Sequence, residues 1–300
     1  MKQLAFIFMC CLAFVFLSSQ NSQSREAQLY AITTWDSDCS GGDRSWWDDM
    51  GNAWYDEITY KGFSIGSWCW WGHCDDAYSR DRRLVNGNFG NRLFADPDSL
   101  SGGQDHLYID EGDAAMICTH GGDDGAYWRG SCRVNDGYDD CSINARDELR
   151  VGDYDLEFLH LSSCHSLDDN MVSNAWRVFQ DQDSASNGRR LHQLNGFHGC
   201  MWIGSSFVAD YEDFADDAFD VPIKDAWMDN MYRTNVNGQY TQCPVSYAVG
   251  TNRADCFNRI NTERYDNVLS DPGNIGYYCY YYYANCDPAC ETAWGDDTSN

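Results

Sequence analysis

Asp155-Leu156-Glu157-Phe158-Leu159-His160-Leu161-Ser162-Ser163-Cys164-His165-Ser166 is the stretch from which the fold is read. It is a short apolar run that ends abruptly in small residues, and the turn so formed carries one thiol and one imidazole. A length of four to eight residues with a turn signal at its end describes a buried strand rather than a helix. The stretch Asp113-Ala114-Ala115-Met116-Ile117-Cys118-Thr119-His120-Gly121-Gly122 has the same design, with a histidine and two glycines at its end. In a parallel sheet the carboxyl ends of neighbouring strands open into one crevice, where ligands bind. A thiol at one such end and an imidazole at the next is an arrangement that activates a sulfur nucleophile.

Around these two strands the chain alternates. Residues 29–35 (LYAITTW) are β-branched and aromatic and read as a first strand. Residues 44–60 place Trp47, Met50, Trp54 and Ile58 at helical spacing. Phe63-Ser64-Ile65 and His106-Leu107-Tyr108-Ile109 read as short strands, and residues 170–181 as a helix. Residues 191–203 read as another buried strand or strand pair. A long helix spans 205–232, capped by Ser205 and broken by Pro222, where the missing N–H interrupts the ladder. Residues 245–249 form one more strand, and the tail carries Tyr277 to Tyr283 among Cys279, Cys286 and Cys290. Strands alternating with helices predict an α/β domain with a mainly parallel sheet. Two cysteine-bearing, loop-rich insertions, within 62–112 and 122–151, would decorate its active edge.

Residues 1–24 read as a secretory signal peptide: Lys2, an apolar run from Leu4 to Leu17, then a polar exit. The apolar run falls short of the ~20 residues a membrane span needs. The expectation is therefore a secreted chain with a single domain over 25–300 and no membrane partner. A formal charge of −27 argues against nucleic acid, which demands basic patches. Of fifteen cysteines, Cys10 and Cys11 fall in the signal segment and thirteen remain. In an oxidising compartment most pair, so six disulfides would leave one free thiol. Cys164 is the candidate, although Cys118 and Cys200 sit in similar apolar runs.

The two motifs resemble those of the caspase-like cysteine peptidases, the superfamily of caspases, metacaspases, legumains and gingipains. Ser163-Cys164-His165-Ser166 is similar to the metacaspase run Asp-Ser-Cys-His-Ser-Gly, and Thr119-His120-Gly121-Gly122 to its Gly-His-Gly-Gly. His120 precedes Cys164 by 44 positions, within the family's spacing. The resemblance implies a three-layer caspase-like sandwich, with Cys164 as nucleophile and His120 as general acid/base. It implies an oxyanion hole from the N–H groups of Gly121 and Cys164, and a peptide or protein substrate. A glycine after the histidine suits this, since it lets a carbonyl approach the backbone. The acid that binds a basic P1 side chain in metacaspases is replaced by Ser162, and the glycine after His-Ser by Leu167. Arg/Lys specificity is thus not implied; Asp36, at the end of the first strand, is the acid that would serve instead. A scaffold that kept the dyad and lost activity is the alternative, an extracellular binding protein.

His192, Asn195 and His198 match no closed zinc pattern and are expected on the site floor or hydrogen-bonded in the core. Cys69 and Cys74 flank His73, and disulfides are expected there rather than zinc. No cofactor is expected. The one metal the composition suits is calcium, through the hard oxygens of Asp36-x-Asp38, Asp123-Asp124 and Asp139-Asp140.

Overall fold

The computed structural model describes residues 25–33, 44–65, 83–87, 94–95, 101–121, 127–129, 143–144, 148–168, 178–179, 191–236, 240–284, 286 and 288. Five strands, β1 (Glu26–Ile32), β2 (Ser64–Ile65), β3 (Arg83–Gly87), β4 (Ala114–Cys118) and β8 (Phe158–Ser162), run parallel, and β9 (Gln193–His198) joins them parallel to β8. Beyond β9 the direction reverses: β11 (Tyr240–Gly250) is antiparallel and carries β10 (Arg233–Val236) and β12 (Tyr277–Tyr282) on its outer side. The path β10-β11-β9-β8-β4-β1-β2, with β12 and β3 beside it, makes a nine-stranded sheet. Three short segments, β5 (His120–Gly121), β6 (Tyr127–Arg129) and β7 (Ile143–Asn144), form a separate antiparallel sheet.

The central strands are buried throughout, as strands covered on both faces must be. Alternation sorts their side chains. Ala27, Leu29, Ala114, Met116, Cys118 and Phe158 meet a helical layer made of α1 (Trp46–Lys61), α2 (Val208–Asp220) and α3 (Ile223–Met231). The apolar stripe read for residues 44–60 is the buried face of α1: Trp47, Met50, Trp54 and Ile58. Trp227 of α3 fills the middle of this layer against Phe197, Phe214 and His160, and its indole N–H donates to the Gly196 carbonyl. The opposite alternation, Tyr30, Ala115, Ile117, Leu159, Leu161 and Leu194, meets Phe94, Ile109, Leu149, Val151, Val178 and Phe179.

A fourth helix, α4 (Arg253–Thr262), is capped by Asn252, whose side chain accepts from the N–H groups of Ala254 and Asp255. Disulfide Cys256–Cys279 ties this helix to β12, and Cys243–Cys286 ties the tail to β11. Among the described residues no helix is long and apolar enough to cross a membrane. The architecture is thus mixed α/β with a mostly parallel sheet.

Several local expectations are corrected. The strand expected at 106–109 is a 3-10 turn at Asp105–Leu107, because the Asp105 carboxylate accepts from the His106 N–H and closes the backbone locally. The break expected at Pro222 is present, between α2 and α3, but the segment opens with a 3-10 turn at Ser205–Phe207 and Ser205 makes no cap. Of the helix read over 170–181, only 178 and 179 are described. The signal segment, Thr34 to Asp43, and Cys69-His73-Cys74 lie outside the described residues.

Asp113, just before β4, binds the amino ends of two neighbours: its carboxylate accepts from the Glu26 N–H at 2.6 Å, and its carbonyl from the N–H groups of Glu157 and Phe158. Burial pushes its carboxyl up to about 6. The folded state then holds the proton more tightly than the unfolded chain, so stability is greatest below the ordinary carboxylate range and falls as the pH rises through about 6. This single group contributes a loss of about 3 kcal/mol across that window. Urea unfolding of wild type and Asp113→Asn at pH 4 and pH 7 checks it: the stability difference between the two proteins should shift by about that amount, in favour of the variant at pH 7.

Candidate active site

The ladder between β4 and β8 pairs Cys118 with Ser162, and the Thr119 N–H extends it by donating to the Ser162 carbonyl. His120 and Cys164 each stand two residues beyond that pair. The two tips touch: a Cβ on Gly121 would lie 1.6 Å from the Cys164 carbonyl oxygen and 2.9 Å from Ser163 Oγ. Only glycine permits this approach. The His120–Gly121 tip is held from its other side by the small sheet, where His120 pairs with Arg129 and Gly121 with Trp128. The Trp47 indole from α1 packs edge-to-face against the His120 ring, centroids 5.0 Å apart. His120, Gly121 and Cys164 are all half-buried, neither sealed in the core nor fully in solvent.

Two thiols are free among the described residues, Cys118 and Cys164, one more than parity implied. Cys118 lies wholly within the helical layer, where burial pushes its thiol up to about 12 and leaves it inert. Cys200 is disulfide-bonded. Among the described residues Cys164 alone is both free and partly accessible. Burial raises its thiol, and the negative Asp168 raises it further, against the lowering effects of a Met201 backbone hydrogen bond and of Arg44. Its Sγ faces the Met201 carbonyl, to which the thiol donates, at 3.6 Å. The sulfur therefore rests as a thiol, not as a pre-formed thiolate.

The remaining candidates are dispersed. Ser162 does not reach a substrate: its side chain is fully buried and its hydroxyl bonds Tyr211 at 2.6 Å, because the strand alternation turns it into the helical layer. His198 is buried as well, its Nδ1 3.4 Å from Asp168, so it does not line the crevice. Asn195 lies in the core, donating to His160 Nδ1 and accepting from Ser246. The His160 ring, closed in by Trp54, Phe214 and Trp227, is lowered to about 3 by burial and stays neutral. His192 sits at the opposite end of β9, bonded to Glu263 beside Arg259. Asp36 lies outside the described residues, as do all three acidic pairs read as calcium ligands. A different trio, Asp105, Asp110 and Asp153, brings one ligand oxygen each within 4.8 Å at the amino ends of β4 and β8. Asp110 there is pushed up by burial and by its two acidic neighbours, while accepting backbone N–H groups from Gly152, Asp153, Tyr154 and Leu156. Such oxygens suit a hard divalent cation.

Sequence reading missed Asp168. This fully buried carboxylate accepts from His165 Nδ1 at 2.9 Å and from the Gly199 N–H at 2.8 Å. Burial alone would raise it, but the bonds from His165, His198 and Gly199 prevail and hold it down at about 2. The i, i+3 spacing of His165 and Asp168 was the one visible signal; the link to Gly199 joins residues 31 apart.

The fold and this crevice define an α/β protein whose accessible thiol and imidazole share the carboxyl rim of a parallel sheet. The chain belongs to the family described as Domain of unknown function (DUF6345), matched over residues 75–283, a span that holds both motifs. No curated protein matches it.

Ser163 Oγ is buried between the two tips and has no hydrogen-bond partner. An unmet buried hydroxyl costs stability, about 1–3 kcal/mol. Ser163→Ala should therefore melt at the wild-type temperature or above it, which differential scanning calorimetry reads directly; a drop of several degrees would show that the hydroxyl is bonded.

Proposed function

We propose that this chain is a secreted cysteine peptidase, or a closely related amide hydrolase, built on a caspase-like three-layer sandwich. The observation that carries the reading is the contact of the Gly121 tip with the Cys164 tip at adjacent parallel strand ends, with Cys164 free and partly accessible. The metacaspase-like runs Ser163-Cys164-His165-Ser166 and Thr119-His120-Gly121-Gly122 fall on these tips. Secretion is supported by the signal-like leader and by disulfides that persist in oxidising compartments.

Cys164 Sγ attacks the carbonyl carbon of a peptide or protein substrate as its proton passes to His120. Because burial keeps the resting thiol protonated, this transfer accompanies attack rather than preceding it. The oxyanion is met by the N–H groups of Gly121 and Cys164. Collapse of the tetrahedral adduct breaks the C–N bond, and His120 returns its proton to the leaving amine. Water, deprotonated by His120, then hydrolyses the thioester and frees the thiol. Trp47 fixes the imidazole ring throughout, and no metal or organic cofactor enters the sequence of steps.

One observation favours a second reading, an inactive scaffold used for binding: in the resting state the thiol is raised by burial and directed at the Met201 carbonyl. Cleavage of a peptide library by the mature protein separates the two. Cys164→Ala should abolish cleavage, and His120→Ala should lower it by about 10²–10⁴-fold, the usual range for a general acid/base. Cleavage that survives Cys164→Ala overturns the peptidase reading. A folded wild type that neither cleaves nor forms a covalent adduct with iodoacetamide at Cys164 establishes the binding scaffold.

A further inference from the structure

The pairing of β8 with β9 ends at His160 and Asn195, several residues before the nucleophile. Beyond that point the strands are joined by the turn itself. The Leu167 N–H donates to the Phe197 carbonyl at 3.0 Å, the Phe197 N–H to Ser166 Oγ at 2.9 Å, and the His165 N–H to the Gly199 carbonyl at 2.7 Å. His165 adopts φ 55°, a left-handed conformation that a side chain other than glycine enters at a cost. Something must hold it there. Its Nδ1 is bonded to Asp168, whose other oxygen accepts from the Gly199 N–H and lies 3.4 Å from His198 Nδ1. One buried carboxylate thus joins three groups from the nucleophile turn and the end of β9. The Met201 carbonyl that faces Cys164 Sγ is two residues beyond Gly199.

We infer that Asp168 is the positioning residue of the nucleophile, fixing the turn that carries Cys164 against the end of β9 through His165 and Gly199. It is not the third member of a triad, since the imidazole it orients is His165 and not the proposed base His120. The inference rests on the reading of Cys164 as a nucleophile, but it concerns where the sulfur is held. Its anchoring has an electrostatic side: the same negative charge disfavours a thiolate on Cys164. Loss of the charge should therefore make the thiol easier to ionise and loss of the anchor should make it easier to reach, while both spoil its aim at a carbonyl.

Iodoacetamide alkylation of Cys164 as a function of pH tests this, since it needs no substrate and proceeds on any thiol. In Asp168→Asn the midpoint should fall by on the order of one pH unit, and the high-pH plateau rate should rise severalfold as the sulfur leaves the Met201 carbonyl. His165→Gly, which accepts the left-handed conformation without strain and keeps the carboxylate on Gly199, should raise the plateau, with a midpoint that falls less than in Asp168→Asn because the Asp168 charge remains. That variant also serves where Asp168→Asn folds poorly. Where a cleaved peptide is in hand, turnover by both variants should fall at least tenfold. A folded Asp168→Asn whose midpoint and plateau match wild type overturns the inference, as does a His165→Gly whose plateau is unchanged. Failure of the hydrolase reading is seen separately, as cleavage indifferent to Cys164→Ala.

Discussion

Everything at the crevice depends on the parallel register of β4 and β8. Because Cys118 pairs with Ser162, the next residues of both chains reach the rim of the sheet side by side, and Gly121 settles against the Cys164 carbonyl. A shift of one residue in either strand would turn every side chain to the opposite face. Cys118 would then leave the helical layer and the alternating apolar set would be exposed to the wrong layer. Core packing and site geometry are consequently one constraint. The residues that pin the register, Ala114, Met116 and Phe158 on one face and Ala115, Ile117, Leu159 and Leu161 on the other, are buried in the two core layers.

The two faces of the sheet divide the remaining labour. The helical face supplies the rigid wall behind the rim: α1 brings Trp47 to the His120 ring, and α2 brings Tyr211 to Ser162. The buried neutral His160, bonded to Asn195 and Tyr265, links β8, β9 and the segment after α4 within that wall. A half-satisfied polar group in such surroundings is costly, so this chain of bonds selects one arrangement of the three segments. Charge is handled in the same way at the other buried acids. Asp168 is kept ionised by convergent donors, whereas Asp110, crowded by Asp105 and Asp153, is pushed towards its neutral form.

Much of this was legible in the sequence, and the limits follow from range. Apolar runs with abrupt small-residue endings gave the two central strands, and helical spacing of Trp47, Met50, Trp54 and Ile58 gave α1, because both patterns are local and tied to burial. The 3-10 turn at Asp105 was misread as a strand, since a side chain competing for a backbone N–H leaves no periodic trace. Ser162 and His198 were drawn to the site by their proximity in sequence to Cys164 and to a strand end. Alternation sends the first into the helical layer, and the Asp168 carboxylate holds the second in the interior. The clamp at Asp168 joins residues 31 apart, and only assembly of the sheet brings its parts together.

The disulfides Cys243–Cys286, which starts within β11, and Cys256–Cys279 are nested. Cys256–Cys279 closes a loop of 23 residues inside the 43-residue loop closed by Cys243–Cys286. By the chain-entropy account each alone restricts the unfolded ensemble by about 3–4 kcal/mol. Sharing one stretch of chain, they overlap rather than add. The result is a laced terminus: proteolytic nicking between Cys256 and Cys279 leaves both fragments attached, and the antiparallel edge survives a cut that would shed it from an unlaced protein.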